Sequence, residues 1–306
     1  MLSPFTLWLI WIGGCLGFAA LLGLLSGTAP WRRVLTGCLG ALALAAPFAI
    51  SNAPVLRAAV ALECLWCWLK VIDIGRDPIE RTARFRVLQL LVLHDLRKDG
   101  YAEHGARSEV QLRLLANALF GGSCATVALC VALFYTAGLA PPERWLLRQA
   151  AGLAFAYFGV EAALGLFEFV YRAGGLSPPL LHRTPILSRS LNEFWGRRWN
   201  RIVGGWLFGT FYRPLALAGR PSLGICAAFT ASGVLHFYFT WAAIGWRDGL
   251  WMLSFFVLQF PLLVLEQRLR TGRWSSVSQR TWTLGWLIVT SPLFIEPMLR
   301  ILERGL

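Results

Sequence analysis

Eight stretches of this chain are apolar for long enough to cross a lipid bilayer, or nearly so, and nothing else in the sequence constrains the fold as tightly. They lie at about 5–27, 34–50, 54–74, 112–137, 146–171, 222–244, 249–265 and 281–299. A helix needs about 20 mostly apolar residues to span the hydrocarbon core, so the short second and seventh runs depend on snorkelling or on their neighbours. Charged residues make up only 15% of the 306, against about 25% in a typical soluble chain. The polar remainder is too small for an independent soluble domain. The expected fold is an all-α polytopic membrane bundle of about eight spans, a single domain over residues 1–306. The first run lacks a basic flank and a convincing cleavage site, so it is expected to be a retained helix.

Basic residues number 29 and acidic residues 16, for a net charge of +13. In a soluble protein that excess would raise nucleic acid as a partner. Here the arginines sit in short segments between apolar runs, where membrane orientation and anionic lipid account for them, and no nucleic-acid partner is expected. Alternate segments carry 23 and 6 of the basic residues. That asymmetry calls for an even number of crossings, with the basic segments, 172–220 among them, in the cytoplasm and both termini outside. An arginine-rich, lysine-poor chain of this kind is compatible with a bacterial inner membrane. The seven cysteines suggest no disulfide framework, and Cys64 with Cys67 form a lone CxxC in an apolar run, so no metal site is expected.

Between the runs, residues 79–98 mix apolar and basic residues at helical intervals, as an amphipathic helix in the membrane interface would. Residues 172–221 alternate aromatics and arginines and are punctuated by Pro178, Pro179, Pro185, Pro214 and Pro221. Re-entrant or interfacial helices fit that mixture. Gly13 with Gly17, and Gly23 with Gly27, have the GxxxG spacing that lets helices pack closely.

Polar groups are costly in lipid, so their positions are informative. His236 lies about 14 residues into its run, roughly 20 Å along a helix and near the middle of the bilayer. A buried imidazole there must be hydrogen-bonded or face a cavity, and its chemistry suits proton transfer. Ser232 and Gly233, one turn earlier, leave room for a ligand or for a close helix. Glu63, Glu161 and Glu168 also lie in or near spans and are expected to pair with Arg57, Arg148 or the arginines of the central segment. In that segment, SLNEFWGRRWN (190–200) places Phe194, Trp195 and Trp199 where they can anchor at the headgroup level. Arg197, Arg198 and the following Arg201 can meet phosphates, and Asn200 adds an amide able to hold a carbonyl or an imidazole.

This motif, followed 36 residues after Asn200 by the histidine of SGVLHFYF, resembles the membrane-bound O-acyltransferase superfamily, in particular its long-chain-alcohol acyltransferase (wax synthase) branch. The resemblance is carried by residues 180–245, the motif-bearing catalytic region. It implies Asn200 and His236 as the active-site pair of a bundle with an internal tunnel. Acyl-CoA would enter from the cytoplasmic side, and a fatty alcohol or another apolar hydroxyl lipid would come from the membrane. The products would be a wax ester and free CoA, with no permanently bound cofactor. On general chemical grounds His236 would deprotonate the hydroxyl and Asn200 would steady the carbonyl oxygen. Arg197, Arg198 and Arg201 would receive the CoA phosphates beside Trp195 and Trp199. Many members have an acidic residue directly after the histidine, where this chain has Phe237. The acceptor therefore stays open among fatty alcohols, sterols, glycerolipids and sugars.

Three other readings are weaker. HDLRKDG (94–100) approximates the HHxxxDG box of soluble acyltransferases, but Asp95 replaces the histidine that acts as base there. Asp73 with Asp77, and Asp95 with Asp99, have the DxxxD spacing of Mg²⁺-dependent prenyltransferases, yet both pairs sit in one arginine-crowded loop. A transporter would need the central arginines and His236 to line a path open to both sides.

Overall fold

The computed structural model describes residues 3–92, 108–174 and 184–305. Described residues form helices α1 (Pro4–Leu25), α2 (Pro30–Ala43), α3 (Pro54–Gly75), α4 (Ala83–Leu91), α5 (Ser108–Leu133), α6 (Pro141–Ala173), α7 (Leu191–Glu193), α8 (Arg201–Leu207), α9 (Arg213–Leu217), α10 (Pro221–Ile244), α11 (Trp246–Arg268), α12 (Ser276–Thr290) and α13 (Pro292–Glu303). Proline stands at the start of α1, α2, α3, α6 and α10, where its missing N–H costs no helical hydrogen bond. HDLRKDG and its Asp95–Asp99 pair lie outside the described residues.

All eight apolar runs fold as helix. Among the described residues six segments are long and apolar enough to cross a membrane: Phe5–Leu25, Pro30–Ala49, Val110–Gly138, Pro141–Ala173, Pro221–Ile244 and Trp246–Arg268. A seventh forms if α12 and α13, bent by 46° at their junction, count as one. The run at 54–74 is helical as α3, but Arg57, Glu63, Lys70 and Asp73 interrupt its apolar character. Large side chains such as Phe5, Leu42, Leu119, Phe120 and Val289 stand more than 60% exposed. Such a surface is stable only against lipid; the chain is an integral membrane protein.

The chain divides into two compact units, whose boundaries fall inside α10, α11 and α13. The first comprises Met1–Lys98, Phe237–Gly249 and Ile301–Leu306. Its core joins Ala19 and Leu22 of α1 to Cys67, Val71 and Ile74 of α3 and Leu90 of α4. Of the helix expected over 79–98, residues Ala83–Leu91 are helical as the short α4, with Arg86 buried, and 93–98 lie outside the described residues. The Arg86 guanidinium donates to the carbonyls of Gly23 (3.2 Å) and Leu24 (3.4 Å), and to Glu80 (2.9 Å). It thus satisfies orphan carbonyls at the C-terminal end of α1, where a cation is also favoured by the helix dipole. Glu80 in turn accepts from the hydroxyl and amide of Thr28, and these bonds, with Arg86 beyond, hold its carboxyl below the usual carboxylate range. The GxxxG expectation divides. A Cβ on Gly23 would meet the Val87 backbone at 2.6 Å, so that glycine does allow α4 to approach, whereas Gly13 and Gly17 face open space.

The second unit comprises Asp99–His236 and Leu250–Arg300. Gly121 lies against Phe158 and Ala162 and Gly165 against Ala118, so small residues bring α5 and α6 together. Buried Arg148 pairs with Glu296 (3.2 Å), which also receives Gln149 (3.1 Å) and Arg300 (3.1 Å). Glu168 pairs with Arg172 one turn along α6 (3.0 Å). These pairs bear out structural roles for Arg148 and Glu168, although Arg148 finds its carboxylate on α13.

Candidate active site

The segment 184–220 is broken into short helices, and the local chemistry of SLNEFWGRRWN explains how it is held. Ser190 caps α7 by accepting the Glu193 amide (2.9 Å), while the Glu193 carboxylate reaches back to the Arg189 amide (2.8 Å). This S-x-x-E arrangement is a variant of the capping box. Arg198 donates to Glu193 at 2.7 Å. Burial by itself would raise the Glu193 pKa, but the Arg189 amide and Arg198 outweigh it and hold the carboxyl below the usual range. The buried Glu266 of α11 accepts the Leu191 amide (2.8 Å) and pins the start of the motif to the bundle.

Residues Phe194–Arg198 then form a π-helical turn, closed by the Trp199 amide on the Phe194 carbonyl at 2.9 Å. Such turns recur at functional sites. Asn200 reverses the chain in the left-handed region (φ 32°), which asparagine tolerates better than most residues, and its Oδ1 accepts the Val203 amide at 3.5 Å to cap α8. A depressed Glu193 pKa means that its contribution to holding this loop is complete above about pH 4.3, the ordinary glutamate value, and is lost as pH falls through the lower folded value. Acid unfolding of wild type and Glu193→Gln should show that difference: the wild type loses its advantage only at the acid end, and equal curves at all pH values would contradict the role.

His236 lies on α10, partly buried. Its Nδ1 is 2.7 Å from the Ser232 carbonyl. A carbonyl can only accept, so Nδ1 carries a proton and donates it to Ser232. The imidazole lies 4.1 Å from the Phe256 ring and 5.9 Å from Phe294, centroid to centroid. Gly233 does not leave room for a ligand. A Cβ there would meet the Leu253 carbonyl oxygen at 3.1 Å and Phe256 Cβ at 3.4 Å, so its role is the close crossing of α10 and α11. Gly233→Val should destabilise the protein by about 1–3 kcal/mol through overpacking and disturb Phe256 beneath His236. Thermal unfolding checks the first effect, and an unchanged midpoint would contradict the tight crossing.

Phe256 links His236 to the motif. Trp195 lies 6.0 Å from the Phe256 ring, 6.0 Å from Phe255 and 5.9 Å from Phe229. Its indole N–H donates to Gln259 Oε1 at 3.1 Å. Trp195 is thus turned into the bundle, not outward as a headgroup anchor, because its N–H finds a buried acceptor there. Trp199 stacks on Phe194 at 5.4 Å and lies 6.5 Å from Trp195. The structure therefore connects Trp195, Trp199 and His236 through one aromatic layer, with Asn200 directly after Trp199. Arg197 is exposed, Arg201 is partly buried, and Arg198 is engaged by Glu193.

Sequence reasoning missed Gln259, which is fully buried and also donates to the Phe255 carbonyl (3.1 Å) and Thr290 Oγ1 (3.4 Å). Its signal was available: an amide in the apolar run SFFVLQFPLL is as costly in lipid as the histidine. Among the described residues no group of three or more potential ligands could hold a metal ion. Asp77, one of the carboxylates in the DxxxD spacing, is occupied by Arg81 (3.0 Å) and the Ile79 amide.

Residues 177–258, which carry both the motif and His236, match the family described as membrane bound O-acyl transferase. The chain is 34% identical over 140 residues to "Probable long-chain-alcohol O-fatty-acyltransferase 3" of Arabidopsis thaliana, covering 39% of this chain and 40% of the relative. It is 30% identical over 161 residues to a long-chain-alcohol O-fatty-acyltransferase of Simmondsia chinensis, covering 47% and 45%. It is 32% identical over 171 residues to acyl-CoA–sterol O-acyltransferase 1 of Arabidopsis thaliana, covering 49% and 48%. The matches thus span less than half the length of these curated relatives. The segment that matches this family is the one that holds the capped motif, the π turn and His236.

Proposed function

We propose that this protein is an acyl-CoA-dependent O-acyltransferase that esterifies the hydroxyl of a lipid-like alcohol, with a fatty alcohol as acceptor and a wax ester as product. The observation that carries the reading is the contact of His236 Nδ1 with the Ser232 carbonyl. With Nδ1–H committed to the Ser232 carbonyl, Nε2 is a base held in an aromatic, water-poor setting. It removes the hydroxyl proton as the alcohol oxygen attacks the thioester carbonyl. The C–S bond then breaks, CoA leaves as a thiolate, and the proton passes from Nε2 to bulk or to the departing sulfur. Asn200 steadies the carbonyl oxygen with its amide NH₂, and Arg197 and Arg201 receive the CoA phosphates, which guanidinium groups bind well. Arg198 holds the loop through Glu193 and adds positive charge beside them. In this reading 172–220 faces the cytoplasm, where the positive-inside rule puts the basic segments, of a bacterial inner membrane.

A sterol acceptor is the second reading, favoured by the acyl-CoA–sterol relative, which covers 49% of this chain. Purified protein supplied with labelled acyl-CoAs and a mixture of fatty alcohols and sterols separates the two. The mass of the ester names donor and acceptor. Neither ester formation nor CoA binding by the folded protein would overturn both.

A further inference from the structure

The first unit contains an open cavity of about 400 Å³, lined by residues that include Phe48, Asn52, Arg57, Trp241, Gly245 and Arg304. That volume is within the range of small-ligand sites, about 300–1,000 Å³. Two guanidinium groups enter the lining and no acidic residue does. Arg57 Nε is inaccessible to solvent and has no hydrogen-bond partner among the described residues, while its guanidinium lies 6.0 Å from the Phe48 ring. Nε is closed to an outside acceptor, so it is the remainder of the Arg57 guanidinium that lines the cavity. Arg304 is anchored by one N–H on the Ile244 carbonyl at 3.3 Å, which leaves its other donors available.

The backbone adds to the same field. Helix α3 begins in the lining at Pro54, and its N-cap, Ala53, has no side-chain acceptor for the first-turn amides. The positive end of a 22-residue helix therefore opens beside the two arginines. Phe48 and Trp241 pack edge to face at 5.0 Å, and each is about 40% exposed. An aromatic rim next to paired cations matches a molecule with an anionic head and an apolar body.

We propose that this cavity is a binding site for a phosphate-bearing anion, with Arg57 and Arg304 as its donors. The phosphate can belong to an anionic phospholipid headgroup or be free in solution. The site belongs wholly to the first unit and does not depend on the acyl-transfer reading.

The test is thermal unfolding and native mass spectrometry of the full chain in an uncharged detergent, with phosphatidylglycerol, phosphatidylcholine or inorganic phosphate added. Phosphatidylglycerol should raise the unfolding midpoint and remain bound, where phosphatidylcholine does not. Arg57→Gln should weaken binding by about tenfold or more, the loss expected for charge-assisted hydrogen bonds. Arg304→Gln, at an exposed position where folding is not at risk, should weaken it in the same direction. Protection by inorganic phosphate alone, lost in the same variants, supports the site and assigns the free ion. Equal effects of the two lipids without phosphate protection, or phosphate and phosphatidylglycerol binding undiminished in Arg304→Gln and in folded Arg57→Gln, would overturn the proposal.

Discussion

Ester formation by His236→Gln should fall by about 10²–10⁴-fold, the usual worth of a positioned general base, while the protein stays folded. Glutamine approximates the size of imidazole and can still donate toward the Ser232 carbonyl, which His236 Nδ1 meets at 2.7 Å. It has no basic lone pair to replace Nε2. The expected loss is therefore in kcat, with little change in the binding of acyl-CoA, because the interaction removed forms only as the hydroxyl is deprotonated. Steady-state kinetics with a matched unfolding curve reads the two effects apart. A folded variant with full kcat would remove His236 from the chemistry, whatever its position in the matched segment.

Gln259→Leu should be almost as damaging, for a different reason. The wild-type amide is fully buried and serves three partners: it accepts from the Trp195 indole and donates to Phe255 and Thr290. Leucine conserves much of the volume but leaves the Trp195 N–H without an acceptor, at a cost of about 1–3 kcal/mol. Trp195 packs on Phe256, the ring beneath His236. Releasing the indole should therefore lower activity as well as stability. Gln259→Glu keeps an acceptor for the indole and should recover part of the activity if carboxylate burial is tolerated. The informative readout is Trp195 fluorescence alongside kcat, since a change in both marks a positioning role. A shifted unfolding midpoint with unchanged fluorescence and kcat would reduce Gln259 to structural support.

The helical, membrane-embedded character of the chain was legible because it depends on local composition. An apolar run of sufficient length has few alternatives in lipid, and every one of the eight runs is helical. The number of crossings was not legible in the same way. Run 54–74 carries Arg57, Glu63, Lys70 and Asp73, and what such residues cost depends on neighbours that hydropathy does not contain. Lys70, for instance, is buried and lies 4.9 Å from the Trp66 ring. The junction of α12 and α13 is similar: one apolar run on paper, and two helices at 46° in the structure.

At the candidate site, residue type and position were readable and orientation was not. A histidine deep in an apolar run announces itself by its desolvation cost, and the S-x-x-E of SLNE specifies its own cap through contacts within four residues. Those are consequences of the sequence by itself. That Trp195 turns inward to Gln259 and that Gly233 admits a helix in place of a ligand were decided by tertiary structure. The physical reason is that hydrogen-bond direction and close packing are set by atoms arriving from distant segments. Gln259 is 64 residues from Trp195 in the chain and 3.1 Å away in space.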